Sequence, residues 1–163
     1  MTLAPKRAAD SATDMVQVVL PNDANPLGFI LGGTVMHLID IAGAIASFRH
    51  TRSRVVTAAV DDLQFLHGIK VGDLIILKAH VTCTFTTSLE VQVDVFSEEV
   101  VTGKRRLTSR AFLTFVAIAE DGGRVEVPPL LVDTEEGRRV REDAHVRREA
   151  RLRRKAEAVA EAD

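Results

Sequence analysis

In the run PNDANPLGFILGGTVMHLIDIAGAIASFRH, residues 21–50, a turn-forming cluster leads into a long apolar stretch that holds one carboxylate, Asp40. Burying an unpaired carboxylate costs several kcal/mol or forces it to take up a proton, so Asp40 is expected to be hydrogen-bonded, in a wet cleft, or both. In a cleft it would serve as a general base on water. The alternative is a structural aspartate paired with His37 or with a strand hydroxyl. Upstream stand Gly32 and Gly33. At a helix start they would offer free N–H groups and the positive end of the helix dipole to a developing oxyanion, with no side chain to keep a carbonyl away. They would equally let a helix pack tightly on a sheet. Asn25, seven residues before Gly32, carries an amide that places a water or a carbonyl, or serves its Pro-flanked turn.

Spacing constrains how these groups act together. Seven or eight helical residues between the glycines and Asp40 amount to a rise of ~11–12 Å. One carbonyl cannot touch both in one subunit. If both serve one reaction, the carboxylate comes from a second copy, and a homodimer is the minimal active unit.

The elements that must hold these residues follow from periodicity. From about Gly33 to His50 the apolar positions go almost all the way round, which predicts an enclosed helix, with Thr34, His37, Asp40 and Ser47 on one stripe. MVQVVL (15–20) reads as a strand before the turn, and RVVTAAVDDLQF and LIILKAHVTCTF as strands after the helix. In the latter, Ile75, Leu77, Ala79, Val81, Cys83 and Phe85 alternate onto one face, which makes Cys83 a core residue. Leu89, Val91, Val93 and Val95 alternate with Glu90, Gln92 and Asp94 in a half-exposed strand, and KRRLTSRAFLTFVAIA is a further strand. One buried helix among such strands predicts an α+β domain, an antiparallel sheet of about five to six strands curled around a single helix.

Composition sets the outer bounds. The 163 residues, 46% hydrophobic, fit one domain, and a net charge of -2 gives no chain-wide attraction to nucleic acid or anionic membrane. The stretch from Leu27 to Phe48 fails as a membrane span because His37 and Asp40 sit near its centre and Gly28, Gly32 and Gly33 crowd its first half. One cysteine and an N-terminus with no apolar leader predict a cytoplasmic chain. Residues 1–14 read as a loose segment, 15–132 as the domain, and 133–163 as a charged, solvated helix or tail, whose stretch from Arg138 to Lys155 holds nine cations against three acids.

These motifs, with VVTAAVDDLQFLHGIKVGD, TTSLEVQVDVFSE and GKRRLTSRAFLTFVAI in order, resemble the hotdog-fold acyl-CoA thioesterases, specifically the bacterial and brain-type acyl-CoA hydrolases. The resemblance runs from about Met15 to Pro129. It implies a long helix wrapped by a sheet, hydrolysis of acyl-CoA to the free acid and coenzyme A, and paired subunits gathered into a hexamer. It implies no metal and no cofactor, coenzyme A being part of the substrate. Asp40 matches the family's catalytic acid residue, Asn25 its catalytic asparagine, and Gly32 with Gly33 the backbone that polarises the thioester carbonyl. Ser88, Arg106 and Arg110 are the implied contacts to coenzyme A. The chain departs from the family pattern at Gly68, where proline is common and a looser turn is expected, and at Ala59, where serine is common and Thr57 is the hydroxyl left nearby. Two rivals share the fold. DANPLG resembles the hydratase motif but has Gly28 at its histidine position, and an acyl-CoA-binding regulator would need no base such as Asp40.

Overall fold

The structure, a computed structural model, describes residues 2–162. β1 (Thr13–Val18) leads through a turn into α1 (Gly32–Thr51). Then come β2 (Arg54–Phe65), β3 (Leu74–Thr84), β4 (Ser88–Glu98), β5 (Arg105–Ile118) and α2 (Glu135–Ala162). The five strands form one sheet in the order β1-β3-β4-β5-β2, every neighbouring pair antiparallel. α1 lies across one face and touches all five strands.

The strand alternation carries the core. Ile75, Leu77, Ala79 and Val81 of β3, Leu89, Val91, Val93 and Val95 of β4, and Ala111, Leu113, Phe115 and Ala117 of β5 are buried against Val35, Leu38, Ile39, Ala42 and Ala46 of α1. Helix and sheet approach most closely at Gly43, where an added Cβ would sit 2.9 Å from the Phe115 ring. α1 ends where Arg52 enters the left-handed region at φ 52° and its N–H reaches the Phe48 carbonyl. In the single chain α1 is not fully enclosed: Met36, His37 and Phe48 are exposed beside β2, the sheet's edge strand. Among the described residues no helix is long and apolar enough to cross a membrane.

Three expectations are corrected. Of the segment expected to be loose, the described part is strapped at Lys6: its N–H donates to the Pro129 carbonyl, its carbonyl accepts from Leu131 N–H, and its Nζ donates to the His50 carbonyl at 2.7 Å, while Met1 lies outside the described residues. Cys83 is buried, but not beneath α1. A bulge between Val81 and Cys83 turns it to the opposite face, where its Sγ lies 3.8 Å from His145 of α2. Burial and the nearby Glu90 push its thiol up to about 11, so it is inert at neutral pH. Finally, the charged tail is not merely solvated. α2 lies on this second face, and Arg147 clasps the buried Glu90 through two bonds of 2.7 and 3.0 Å while stacking over Phe112. One helical turn on, Arg151 holds Asp61 at 2.8 Å.

His50, fully buried at the end of α1, uses Nε2 toward the Pro128 carbonyl at 2.8 Å, and its Nδ1 has no partner. Burial lowers its pKa, and Lys6 adds to the effect. His80 is shifted the same way, again mainly by burial.

Two stability predictions result. Arg147→Ala leaves Glu90 buried and unpaired and should cost about 3–5 kcal/mol, whereas Arg139→Ala, which removes an exposed pair with Glu135, should leave the midpoint within experimental scatter. Urea denaturation of both variants checks the contrast. Because both histidines take up a proton less readily when folded, the unfolded chain protonates first as pH falls below ~6.5, and stability drops there. Above that value both states are neutral and the slope vanishes. The decline between pH 7 and pH 5.5 should be shallower in His50→Gln; an unchanged slope would show that His50 does not contribute.

Candidate active site

α1 starts without a side-chain cap. Leu31 stands at its N-cap, and the first bond along the helix runs from Val35 N–H to the Leu31 carbonyl at 3.1 Å. Helix geometry therefore leaves the N–H groups of Gly32, Gly33 and Thr34 with no acceptor in the helix. Both glycines are exposed, so these donors and the positive helix end meet open space. Gly32 lines a cavity of about 390 Å³ with Asn25, Phe65 and Ser109. The turn before the helix holds the asparagine firmly: Asn25 Oδ1 accepts from the N–H groups of Leu27 at 3.0 Å and Phe29 at 3.2 Å. With its oxygen used in this way, the amide nitrogen is the end left to donate.

Asp40 is half-buried, two turns into α1, and lines a second groove of about 370 Å³ with Gly33, Met36, His37, Thr57 and Val60. Its Oδ1 accepts from Thr57 Oγ1 at 2.6 Å. Of the two structural partners open to it, the strand hydroxyl is the one realised; among the described residues no hydrogen bond or ion pair joins it to His37. Among the described residues no hydrogen bond reaches the second carboxylate oxygen. Ser47 leaves the predicted stripe: it is buried, and its hydroxyl turns back to the Gly43 carbonyl at 2.8 Å.

One chain thus gathers Asn25 with Gly32 in one groove and Asp40 with Thr57 and Gly33 in another, so the two glycines border different grooves. In the sequence Thr57 is only the hydroxyl left near Ala59; its contact with Asp40 is not legible there, because it depends on how the edge strand crosses the helix. The residues implied for coenzyme A are dispersed. Ser88 pairs with Val116 and Arg106 with Ser97; nine residues of β4 separate the two positions, about 30 Å at ~3.3 Å each. Arg110 is already bound on both sides of Asp94, at 2.6 and 3.0 Å, and these bonds raise its pKa further. Arg106 lies at the same end of the sheet as Gly32 and opens into a cavity with Lys70 and Lys104. Gly28, the position of the hydratase histidine, has no side chain for acid/base work and donates its N–H to the Asn25 carbonyl at 3.0 Å.

Comparison with known proteins places this geometry among relatives. Residues 27–104 match the family model described as the thioesterase superfamily. The chain is 41% identical over 118 residues to the acyl-CoA thioester hydrolase YkhA of Bacillus subtilis, a match covering 72% of this chain and 69% of that one. It is 32% identical to the human cytosolic acyl coenzyme A thioester hydrolase over 83% of its own length, and spans 36% of that longer relative. Among solved structures, an apo-hexameric acyl-CoA thioesterase superposes with TM-score 0.89 at 41% identity, covering 94% of this chain and 99% of the other. The acyl-CoA hydrolase of Staphylococcus aureus, solved with butyryl coenzyme A and coenzyme A, gives TM-score 0.87 at 32% identity, covering 95% and 94%. That enzyme has also been solved with an asparagine, an aspartate or a threonine replaced by alanine, at positions 15 and 17 residues apart. Asn25, Asp40 and Thr57 have the same spacing.

The turn at Gly68, where a loose connection was expected, is tightly packed. A Cβ there would lie 2.7 Å from Cδ1 of Phe29, the ring that follows the Asn25 turn and lines its cavity. Gly68→Ala must displace that ring, so the unfolding midpoint should fall by an amount corresponding to about 1–3 kcal/mol. An unchanged midpoint in urea would mean the ring moves aside at no cost.

Proposed function

The chain belongs to the hotdog-fold acyl-CoA thioester hydrolases of the thioesterase superfamily, and from that membership we propose that it hydrolyses acyl-CoA at a centre shared by two subunits. The observation that carries the catalytic assignment is the Asp40 carboxylate, open to a groove and fixed by the Thr57 hydroxyl at 2.6 Å.

In this reading the thioester carbonyl oxygen is received by the unpaired N–H groups at the Gly32–Gly33 corner. As the oxygen of a water attacks the carbonyl carbon, Asp40 takes its proton. Negative charge accumulates on the former carbonyl oxygen, where the amide donors and the helix dipole meet it. Collapse of the tetrahedral intermediate breaks the C–S bond. The thiolate of coenzyme A leaves and takes up the proton, and the acyl group departs as the acid. Thr57 positions the carboxylate by occupying Oδ1, so that the other oxygen faces the water. Asn25, whose oxygen is engaged, donates its amide N–H to the water or to the carbonyl.

The two-subunit division is supported by the surface between the halves. β2 is an edge strand, and Val56, Val60 and Phe65 on it, Leu66 just after it, and Leu27, Leu31 and Met36 near the start of α1 are exposed apolar side chains. An unpaired strand edge beside so much apolar surface is a template for pairing with a second copy. The pairing would bring the Asn25–Gly32 cavity of one subunit to the Asp40 groove of its partner. Hexameric relatives make a trimer of such dimers the expected assembly.

Asp40→Ala should retain the fold and lower turnover of acyl-CoA by roughly 10²–10⁴, followed as thiol release; full activity would remove Asp40 from the mechanism. Refolding Asp40→Ala together with Asn25→Ala subunits tests the sharing. Mixed dimers should regain activity well above either parent, because one of their two centres is intact. No recovery would place both groups in one subunit's centre.

A further inference from the structure

Behind the Asp40 groove, on the other face of the sheet, stands a buried carboxylate that the reaction does not use. Asp61 of β2 is held from α2 at both oxygens: Arg151 Nη1 donates to Oδ2 at 2.8 Å and Arg154 Nη2 to Oδ1 at 3.4 Å. The side chains of Asp61 and Arg151 are 6% and 17% exposed, so their pair lies largely out of water, whereas Arg154 is 65% exposed and adds the looser contact. Arg147 seats α2 beside them. Its guanidinium lies 3.6 Å from the centroid of the Phe112 ring, and Phe112 faces Asp61 across the β5–β2 pairing. Taking two charges out of water costs several kcal/mol per ion, so such a pair is a weak source of stability; what it can fix is position.

Position matters here because β2 is irregular. Its register slips between Thr57 and Ala59 and again between Asp61 and Gln64, and Asp62 enters the left-handed region at φ 53°. Regular alternation would put Val60 and Leu63 on opposite faces. The irregularity at Asp62 returns Leu63 to the side of Val60, and both line the Asp40 groove. Within the chain β2 has no neighbour on its outer edge. Between the two slips, among the described residues, Asp61 is the one side chain hydrogen-bonded to another element. Val60 directly precedes it and Leu63 lies two residues beyond. The clamp on one face of the strand therefore sets where the wall of the groove stands on the other.

We propose that Arg151, assisted by Arg154, is a positioning residue for the hydrolysis: by holding Asp61 from behind, it places Val60 and Leu63 against the first carbons of the acyl chain and so governs which chain lengths turn over well. The inference rests on the acyl-CoA reading above. In that reading the water at Asp40 attacks the thioester carbonyl carbon, and the carbons next to it are the part of the substrate nearest the apolar lining of the same groove, Met36, Val60, Leu63 and Leu113. Misplacement by about 1 Å can cost roughly 10²-fold in rate. Arg151 touches no reacting atom, and its effect passes through Asp61.

Thiol release over a panel of acyl-CoA chain lengths separates positioning from mere support of the fold, because the ratio of kcat/KM between two lengths does not depend on how much of the sample is folded. Arg151→Met should lower kcat/KM for the best chain by roughly tenfold. It should also flatten the profile, cutting the ratio between the best and the adjoining lengths by roughly threefold, a part of the roughly 10–200-fold that one methylene can be worth. Arg151→Lys, which keeps the charge without the fork, should restore part of the profile, and Arg139→Ala should match the wild type. Asp61→Asn should flatten the profile as Arg151→Met does, and the double variant should be no flatter than either single one, since both remove the same contact. Amide hydrogen exchange at residues 58–64 should be faster in Arg151→Met than in the wild type. A wild-type chain-length profile in Arg151→Met, effects of Asp61→Asn and Arg151→Met that add, or unchanged exchange at residues 58–64 would each overturn the proposal. If Arg151→Met does not fold, Arg151→Lys and Arg154→Met carry the comparison, and wild-type profiles in both refute it. A wild-type chain that releases no thiol from any acyl-CoA would refute hydrolysis and with it the role in chain selection, while the exchange comparison would still show whether Arg151 holds the wall.

Discussion

The contact between Gly43 and the ring of Phe115 sets the depth at which α1 lies on the sheet. No side chain fits between them, since even a methyl group would meet the ring at 2.9 Å. Phe115 faces Thr57 across the β5–β2 pairing, and Asp40 stands almost one turn before Gly43 on the helix. The hydrogen bond between Thr57 and Asp40 therefore depends on this close approach. A helix lifted by one methyl group would draw the carboxylate from the hydroxyl that aims it. The same packing fixes the first turn of α1 against Phe65, whose ring lies 3.5 Å from where a Cβ on Gly32 would stand.

A rigid helix laid at fixed depth is also a spacer. It holds the amide donors of its first turn and the carboxylate two turns on at a separation that no side-chain rotation closes. In the proposed dimer, edge strand β2 does two things: it presents Thr57 to Asp40 and meets a second subunit. Its geometry is irregular, with register shifts between Thr57 and Ala59 and between Asp61 and Gln64. The far face of the sheet compensates. Asp61, inside this irregular stretch and next to Val60 of the Asp40 groove, is gripped from behind by Arg151 at 2.8 Å and Arg154 at 3.4 Å. α2 acts as a brace on the strand that borders the groove.

Much of this was legible in the sequence, and what was hidden has a common cause. The strands are apparent because alternation reports which face of a sheet is wet, and α1 because its apolar positions outrun any amphipathic pattern. The roles proposed for Asp40, Asn25 and the glycines were suggested by residue type and spacing together with the family resemblance. Cys83 was assigned to the wrong face because a one-residue bulge inverts every side chain beyond it, and no residue type near Val81 announces one. Arg147 and Arg151 looked like a solvated charge run because their partners, Glu90 and Asp61, are 57 and 90 residues away. Charge patterning reads helix neighbours, not sheet faces. Thr57 was passed over for a related reason: its hydroxyl becomes relevant only when β2 is folded beside α1.

The pattern of ion pairing bears on why Asp40 suits a base. Glu90, Asp61 and Asp94 are all held by arginines, and in each the carboxylate charge is spent on a guanidinium. Such an anion has little left to offer a water. Asp40 receives one neutral hydroxyl and no cation within 4.0 Å among the described residues. Thr57 orients it without cancelling its charge, Met36, Val60 and Leu63 of the groove are apolar, and His37 beside them makes no hydrogen bond or ion pair with it among the described residues. A chain with 21 lysines and arginines that places none of them here keeps this carboxylate's charge available.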